Sequence, residues 1–197
     1  HNKAHMDSYR KLCSDRGVVY APIAVIDGRI KVGLTEKDMD RFFQANDARK
    51  TGHRDVAAII ANGWNGGTTG SAAIMIAGKV GIPFFVCGGI GGVHRGAEKT
   101  MDISADLQEL ANSPVTVICT GPKALLDLHL TAEYLETFNV PVIGYNTEYL
   151  PCYYSKPSDC KLEYNFSSPN EIARMTFVQR EMGLKEGILV CNPIPDD

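Results

Sequence analysis

The stretch "VTVICTGPKALLD", Val115–Asp127, decides how the chain is read. Its first part is a continuous apolar run rich in Val and Ile, and it stops at Gly121. Such runs mark strands buried on both faces, as in sheets covered by helices on either side. Four more runs of the same kind occur: IAVIDG (23–28), IPFFVCGG (82–89), VPVIGY (140–145) and GILVCNP (187–193). Between them lie segments of helical pattern: RDVAAIIANG, TGSAAIMIAGKVG, DLQELAN, HLTAEYLETF and SPNEIARMTFVQREMG. Gly63, Gly81 and Gly183 are placed to end three of these helices. Ser168, Pro169 and Glu171 form a helix start with a capping box. The alternation predicts an α/β fold, a three-layer α/β/α arrangement with a central mixed, largely parallel sheet. Its antiparallel part is expected at DGRIKVGL, where Asp27-Gly28 suits a two-residue hairpin turn. The segment Tyr149–Lys161 reads as a packed surface loop.

The 197 residues are read as one domain, and they suffice for a real core. The formal net charge of −3 argues against nucleic acid or an anionic membrane as the main partner. No apolar run approaches the ~20 residues of a membrane span, and no secretory leader pattern opens the chain. A cytoplasmic setting is expected. Cys87, Cys119 and Cys191 sit in or beside apolar runs and read as buried thiols. No CxxC pair occurs. Cys152 and Cys160 share a loop and are within reach of a disulfide, but reduced thiols are the preferred reading.

In open α/β sheets, ligands gather beyond the carboxyl ends of strands. There this chain carries GGIGGVHRGAEKTMDISAD, Gly88–Asp106. The glycines fail the dinucleotide pattern, since His94 stands at its sixth position, and no Gly-Lys-Ser/Thr follows. Glycine after a strand still lets backbone N–H groups approach an anion. Ser104 is placed to cap the next helix, whose N-terminus would favour phosphate. The alternative is a tight turn. Asp102 and Asp106 are either capping and first-turn charges or ligands of a hard cation such as Mg²⁺ or Mn²⁺. Lys123 follows the glycine that ends a strand. A lysine partly buried there would be held as the free amine and could attack a carbonyl carbon; the alternative is an ordinary surface lysine. Lys50, in ARKTGHRD, reads as a solvated basic turn or a phosphate contact. Gly70, in NGGTTGS, leaves backbone open at a helix start. No GxSxG elbow occurs, and Ser71 and His94 make no evident nucleophile pair.

The segments NGGTT, GGIGGVHRGAEKTMDISADL, GPKALLD, TAEYLET, VPVIGY and NPIP occur in this order. Together they resemble the pseudouridine-5′-phosphate glycosidases of the indigoidine-synthase-A-like family, over nearly all of residues 18–197. The resemblance implies reversible conversion of pseudouridine 5′-phosphate and water to uracil and ribose 5-phosphate. The bond broken is C–C, so the two-carboxylate chemistry of ordinary glycosidases does not suffice. It implies Lys123 as the covalent lysine and Lys50, Gly70, Ser104, Ala105 and Asp106 as substrate-binding residues. It implies Asp102 as ligand of Mn²⁺, with Mg²⁺ fitting equally, and assembly as a homotrimer. The chain departs from the family pattern at Cys87, Pro122 and His53, where Thr, Ala and Arg are usual. Nothing in His1–Val19 matches the family's proton-donating Glu motif, and a late Asn implied beyond NPIP is absent. Both ends therefore read as cut, and the alternative function is a phosphosugar- and metal-binding remnant with impaired catalysis.

Overall fold

The computed structural model describes residues 2–154 and 158–195. The chain divides into two compact units, the first ending at Ala72 and the second beginning at Ala73.

The first unit holds α1 (Asn2–Ser14), β1 (Ile23–Ile26), β2 (Arg29–Val32), α2 (Glu36–Gln44), β3 (Arg49–Thr51), a 3-10 turn (His53–Asp55), α3 (Val56–Ala61) and β4 (Gly66–Thr68). Its sheet runs β2-β1-β4-β3. The expected hairpin is present. Asp27 and Gly28 take φ of 48° and 70°, and the register closes with Ile26 opposite Arg29. Positive φ at both turn residues matches the right-handed twist of the strands. β1 and β4 pair antiparallel, β3 and β4 parallel. β4 was hidden in the sequence because it is GGT, with almost no strand propensity. Glycine is required at position 66, because a β-carbon there would collide with Thr51 Oγ1 from the neighbouring strand. Lys50 therefore lies on an edge strand, not in the basic turn expected. The helix α2 was also missed. Its start is fixed by a capping box in which Thr35 and Asp38 satisfy each other's backbone N–H groups.

The helix α4 (Gly70–Lys79) leads into the second unit. There follow β5 (Phe84–Val86), β6 (Val93–His94), α5 (Ala97–Thr100), α6 (Ala105–Asn112), β7 (Thr116–Cys119), β8 (Leu126–Asp127), α7 (Leu128–Thr137), β9 (Val142–Tyr145), β10 (Tyr164–Phe166), α8 (Pro169–Glu181) and β11 (Ile188–Cys191). The central sheet is five-stranded and parallel throughout, in the order β10-β9-β11-β7-β5. All four residues of β11 are buried, so both faces of the sheet are covered. Ile172 of α8 closes one face over Ile143, Ile188 and Val190. Full burial of a side chain such as Leu189 contributes about 1.5–3 kcal/mol. The class is α/β with a largely parallel central sheet, as expected. Antiparallel strand pairs occur in the first unit's sheet and in the short β6–β8 ribbon, and isolated antiparallel bridges join Val93 to Ile103 and Tyr149 to Lys161. Ser168 caps α8 with Glu171 completing the box. Gly63, Gly81 and Gly183 take φ of 67°, 77° and 69° just beyond the helices they end. Among the described residues, no helix is long and apolar enough to cross a membrane. All six cysteines are free, including Cys152 and Cys160. Residues 155–157 of the Tyr149–Lys161 loop lie outside the described residues.

Gly66→Ala is expected to cost about 1–3 kcal/mol in urea unfolding, the range for forcing extra volume into packed structure; an unchanged midpoint would contradict the close approach of β3 and β4. The Thr35 side chain and backbone hydrogen bonds lower the Asp38 pKa from its ordinary value. A depressed folded-state value gives stability that is present above the ordinary aspartate range and is lost as pH falls through the lower value. Asp38→Asn should therefore lose its difference from the parent chain in acid, and a difference that grows on acidification would contradict the capping box.

Candidate active site

The parallel pairing of β5 and β7 continues past the ends of both strands. The Cys87 N–H donates to the Ile118 carbonyl (3.0 Å). The Thr120 N–H and hydroxyl both donate to the Gly88 carbonyl, at 3.0 and 2.5 Å. The Ile90 N–H then donates to the Gly121 carbonyl, and the Lys123 N–H donates to the Ile90 carbonyl, each at 3.2 Å. Ile90 and Pro122 thus pair as an isolated parallel bridge. The glycine stretch and the Lys123 loop, 33 residues apart in sequence from Ile90 to Lys123 (123 − 90), form one loop ladder at the carboxyl edge of the sheet.

The glycines are needed because this ladder is closely covered. A β-carbon on Gly91 would collide with Ser104 Oγ, and one on Gly92 would lie 2.6 Å from Thr131 Oγ1. One on Gly89 would lie 2.6 Å from Tyr153 Cδ2 and 3.0 Å from the Gly121 carbonyl. The chain's own side chains fill these spaces. The glycine stretch is first a close-packed joint, and the Gly91 N–H is already used by the Asp106 carboxylate (2.9 Å).

That bond draws the Ser104–Asp106 segment onto the ladder. Ser104 is the N-cap of α6, its hydroxyl accepting from the Asp106 N–H (3.2 Å), as expected. The Ser104 N–H donates to the Gly92 carbonyl and the His94 N–H to the Asp102 carbonyl, both at 3.0 Å. Ala105 and Asp102 are exposed, and Ser104 and Asp106 are half-buried. The Asp102 carboxylate keeps 64% of its side-chain surface, with His94 Nδ1 3.8 Å away. Among the described residues, no three His, Cys, Asp or Glu side chains gather to hold a metal. One open carboxylate fits a hard cation that keeps most of its water, and does not fit a protein cage.

Lys123 is exposed, which is the second of the two placements the sequence left open. Pro122 takes the inward position of the bridge with Ile90, so the next residue faces outward. A turn closed by the Leu126 N–H on the Lys123 carbonyl (3.0 Å) and β8 stand between Lys123 and α7, the helix expected at HLTAEYLETF. Lys50 and Gly70 belong to the first unit. Lys50 is exposed on β3 opposite Gly67 of β4, and Gly70 opens α4 two residues after β4 ends. A bond from the Thr69 N–H to the Thr51 carbonyl (2.9 Å) holds these two segments together.

Two features escaped the sequence reading. Cys191, Cys119 and Cys87 end up in a row at the carboxyl ends of β11, β7 and β5. The Cys87 thiol is pushed up by its hydrogen bond to Cys119 and by burial, and Cys119 is pushed up chiefly by Cys191. Cys87 and Cys119 are thereby protonated packing thiols, not nucleophiles. Tyr153 lies over Gly88 and Gly89, with its N–H donating to the Thr120 carbonyl (3.1 Å). No local motif marks it, because the contact is made across a long separation in sequence.

Comparison with known proteins bears on this site. The chain is 50% identical over 183 residues to a pseudouridine-5′-phosphate glycosidase of Petrotoga mobilis, covering 93% of this chain and 60% of that protein. It is 48% identical over 182 residues to one of Escherichia coli, covering 92% and 58%. The prealnumycin C-glycosynthase AlnA, solved in complex with ribulose 5-phosphate, superposes with a TM-score of 0.88 at 36% identity, covering 95% of this chain and 62% of that one. An indigoidine synthase A-like protein of Thermotoga maritima superposes with a TM-score of 0.89 at 30% identity, covering 100% and 66%. The chain thus spans about 60% of the length of the curated relatives it matches. The family model described as indigoidine synthase A like protein matches residues 1–197. The chain belongs to the indigoidine synthase A-like family.

Proposed function

We propose that the chain is the sugar-phosphate-handling part of an enzyme that reversibly cleaves pseudouridine 5′-phosphate to uracil and ribose 5-phosphate, with Lys123 as its nucleophile. One observation carries this reading. The loop ladder fixes the Lys123 backbone to the same glycine stretch that the Asp106 carboxylate binds. A lysine with an open side chain and a capped helix start that can face phosphate are thereby held at one sheet edge. The names of the relatives, and the ribulose 5-phosphate held by the solved C-glycosynthase, support a phosphosugar as ligand.

The chemistry follows from what a lysine can do at an anomeric carbon. Once it has given up a proton, the Lys123 amine bonds to C1′ as the ring C1′–O4′ bond opens, and O4′ takes up the proton that the new C1′–N bond releases. The nitrogen lone pair then forms C1′=N while the C1′–C5 bond to uracil breaks. Uracil C5 keeps that electron pair and takes a proton. Water adds to the imine, releasing ribose 5-phosphate and the free lysine. Ser104, Ala105 and Asp106 orient the sugar phosphate, with Lys50 and Gly70 as further substrate contacts. Asp102 would hold Mn²⁺ or Mg²⁺ through one carboxylate oxygen, and the ion would supply positive charge beside the phosphosugar. Assembly as a homotrimer belongs to the same reading and is supported only by the family resemblance.

The test is to incubate the chain with ribose 5-phosphate and borohydride and measure its intact mass. A reduced sugar-phosphate adduct, absent from Lys123→Ala, is expected. A folded chain that forms no adduct would contradict the covalent role and leave a binding remnant.

A further inference from the structure

We infer that Tyr153 is a positioning residue for Lys123, its ring seated across Gly88 and Gly89 so as to fix the loop ladder that carries the lysine. The inference rests on the reading of Lys123 given above. Lys123 has an exposed side chain, and its main chain is bonded on the glycine-stretch side only to the Ile90 carbonyl. What holds the glycine stretch therefore holds Lys123. On the sheet side that stretch is bound by Thr120 and Gly121. Packed against the same stretch, Tyr153 Cε2 and Oη lie 3.4 Å from where a Gly88 β-carbon would be, and Cδ2 lies 2.6 Å from that of Gly89. Glycine has the widest backbone freedom of any residue, so a glycine-rich arm without such a cover would sample many conformations.

Four further observations fit a clamp. Tyr153 is bonded to the ladder itself, its N–H reaching the Thr120 carbonyl beside the Gly88 contact. Its φ of 51° is in the left-handed region, uncommon for a bulky aromatic residue and kept only where surroundings enforce it. The two preceding residues are anchored: Cys152 is buried, and the Pro151 carbonyl lies against Gly121, where any β-carbon would collide with it. Tyr154 meets the Tyr153 ring edge-on at 4.9 Å and limits its swing. The Tyr153 atoms nearest Gly88 and Gly89 are mostly ring carbons, Cδ2, Cε2 and Cζ, which a phenylalanine keeps.

The test compares Tyr153→Ala and Tyr153→Phe with the parent chain by two readouts. The first is the rate of borohydride trapping of ribose 5-phosphate as a function of sugar concentration. The second is hydrogen exchange at the Ile90 and Lys123 amides. Tyr153→Ala should lower the saturating trapping rate about 10- to 100-fold, the scale of a misplaced reacting group, with little change in half-saturating concentration. Its Ile90 and Lys123 amides should exchange about 10-fold faster while the β7 and β11 amides keep their protection. Tyr153→Phe should match the parent in both. Parental trapping and exchange in Tyr153→Ala would overturn the inference. So would a phenylalanine variant as impaired as the alanine one, or a loss of protection spread evenly over the sheet. A parent chain that traps no sugar overturns the reading of Lys123 instead, and the exchange comparison alone then decides whether Tyr153 fixes the ladder.

Discussion

Two hydrogen bonds, Ile90 N–H to the Gly121 carbonyl and Lys123 N–H back to the Ile90 carbonyl, carry the pairing of β5 and β7 beyond the sheet. A parallel sheet presents its carboxyl edge to ligands through whatever follows its strands. Here that edge is rigid because the two loops behave as a further stretch of ladder. The partner loop is mostly glycine, so close approach is possible from both sides. Ser104, Thr131 and Tyr153 occupy the space that β-carbons would otherwise claim. The same feature that admits these neighbours also takes some of the glycine N–H groups out of use as anion donors. The proposed phosphate contact is accordingly the Ser104–Asp106 helix start and not the glycines themselves.

The carboxylate of Asp106 joins the two ideas. It receives the Gly91 N–H while its own N–H is capped by Ser104. A residue that is both tie and helix-start charge fixes the entry angle of α6 relative to the ladder. At the ends of three adjacent strands stand Cys87, Cys119 and Cys191, and the thiols of Cys87 and Cys119 are pushed up by their neighbouring thiols and by burial. The Cys87 sulfur lies 3.8 Å from the Gly89 carbonyl, so this side chain reaches the glycine stretch.

The elements that were legible in the sequence are those whose signal is local. The apolar runs of β7, β9 and β11, the Asp27-Gly28 turn, the Ser168 cap and the glycines after α3, α4 and α8 all act within a few residues. What was missed depends on partners distant in the chain. The strand β4 is a strand only because β1 and β3 pair with it, and its glycines carry no propensity of their own. The place of Lys123 after a strand left partial burial and an ordinary surface position both open. The outcome was decided by Pro122 taking the inward position opposite Ile90. The same holds for the glycine stretch: its composition suggested an open cradle, while the space it leaves is filled by Tyr153, which no local pattern could have brought there.

The central claim is that Lys123, held on the ladder, bonds covalently to the sugar carbon. A crystal structure of the chain reduced with borohydride in the presence of ribose 5-phosphate tests it most directly. The account predicts continuous density from Lys123 Nζ to C1 of the sugar, with the phosphate near the Ser104–Asp106 helix start. A sugar phosphate bound elsewhere, or joined to a different lysine, would contradict it.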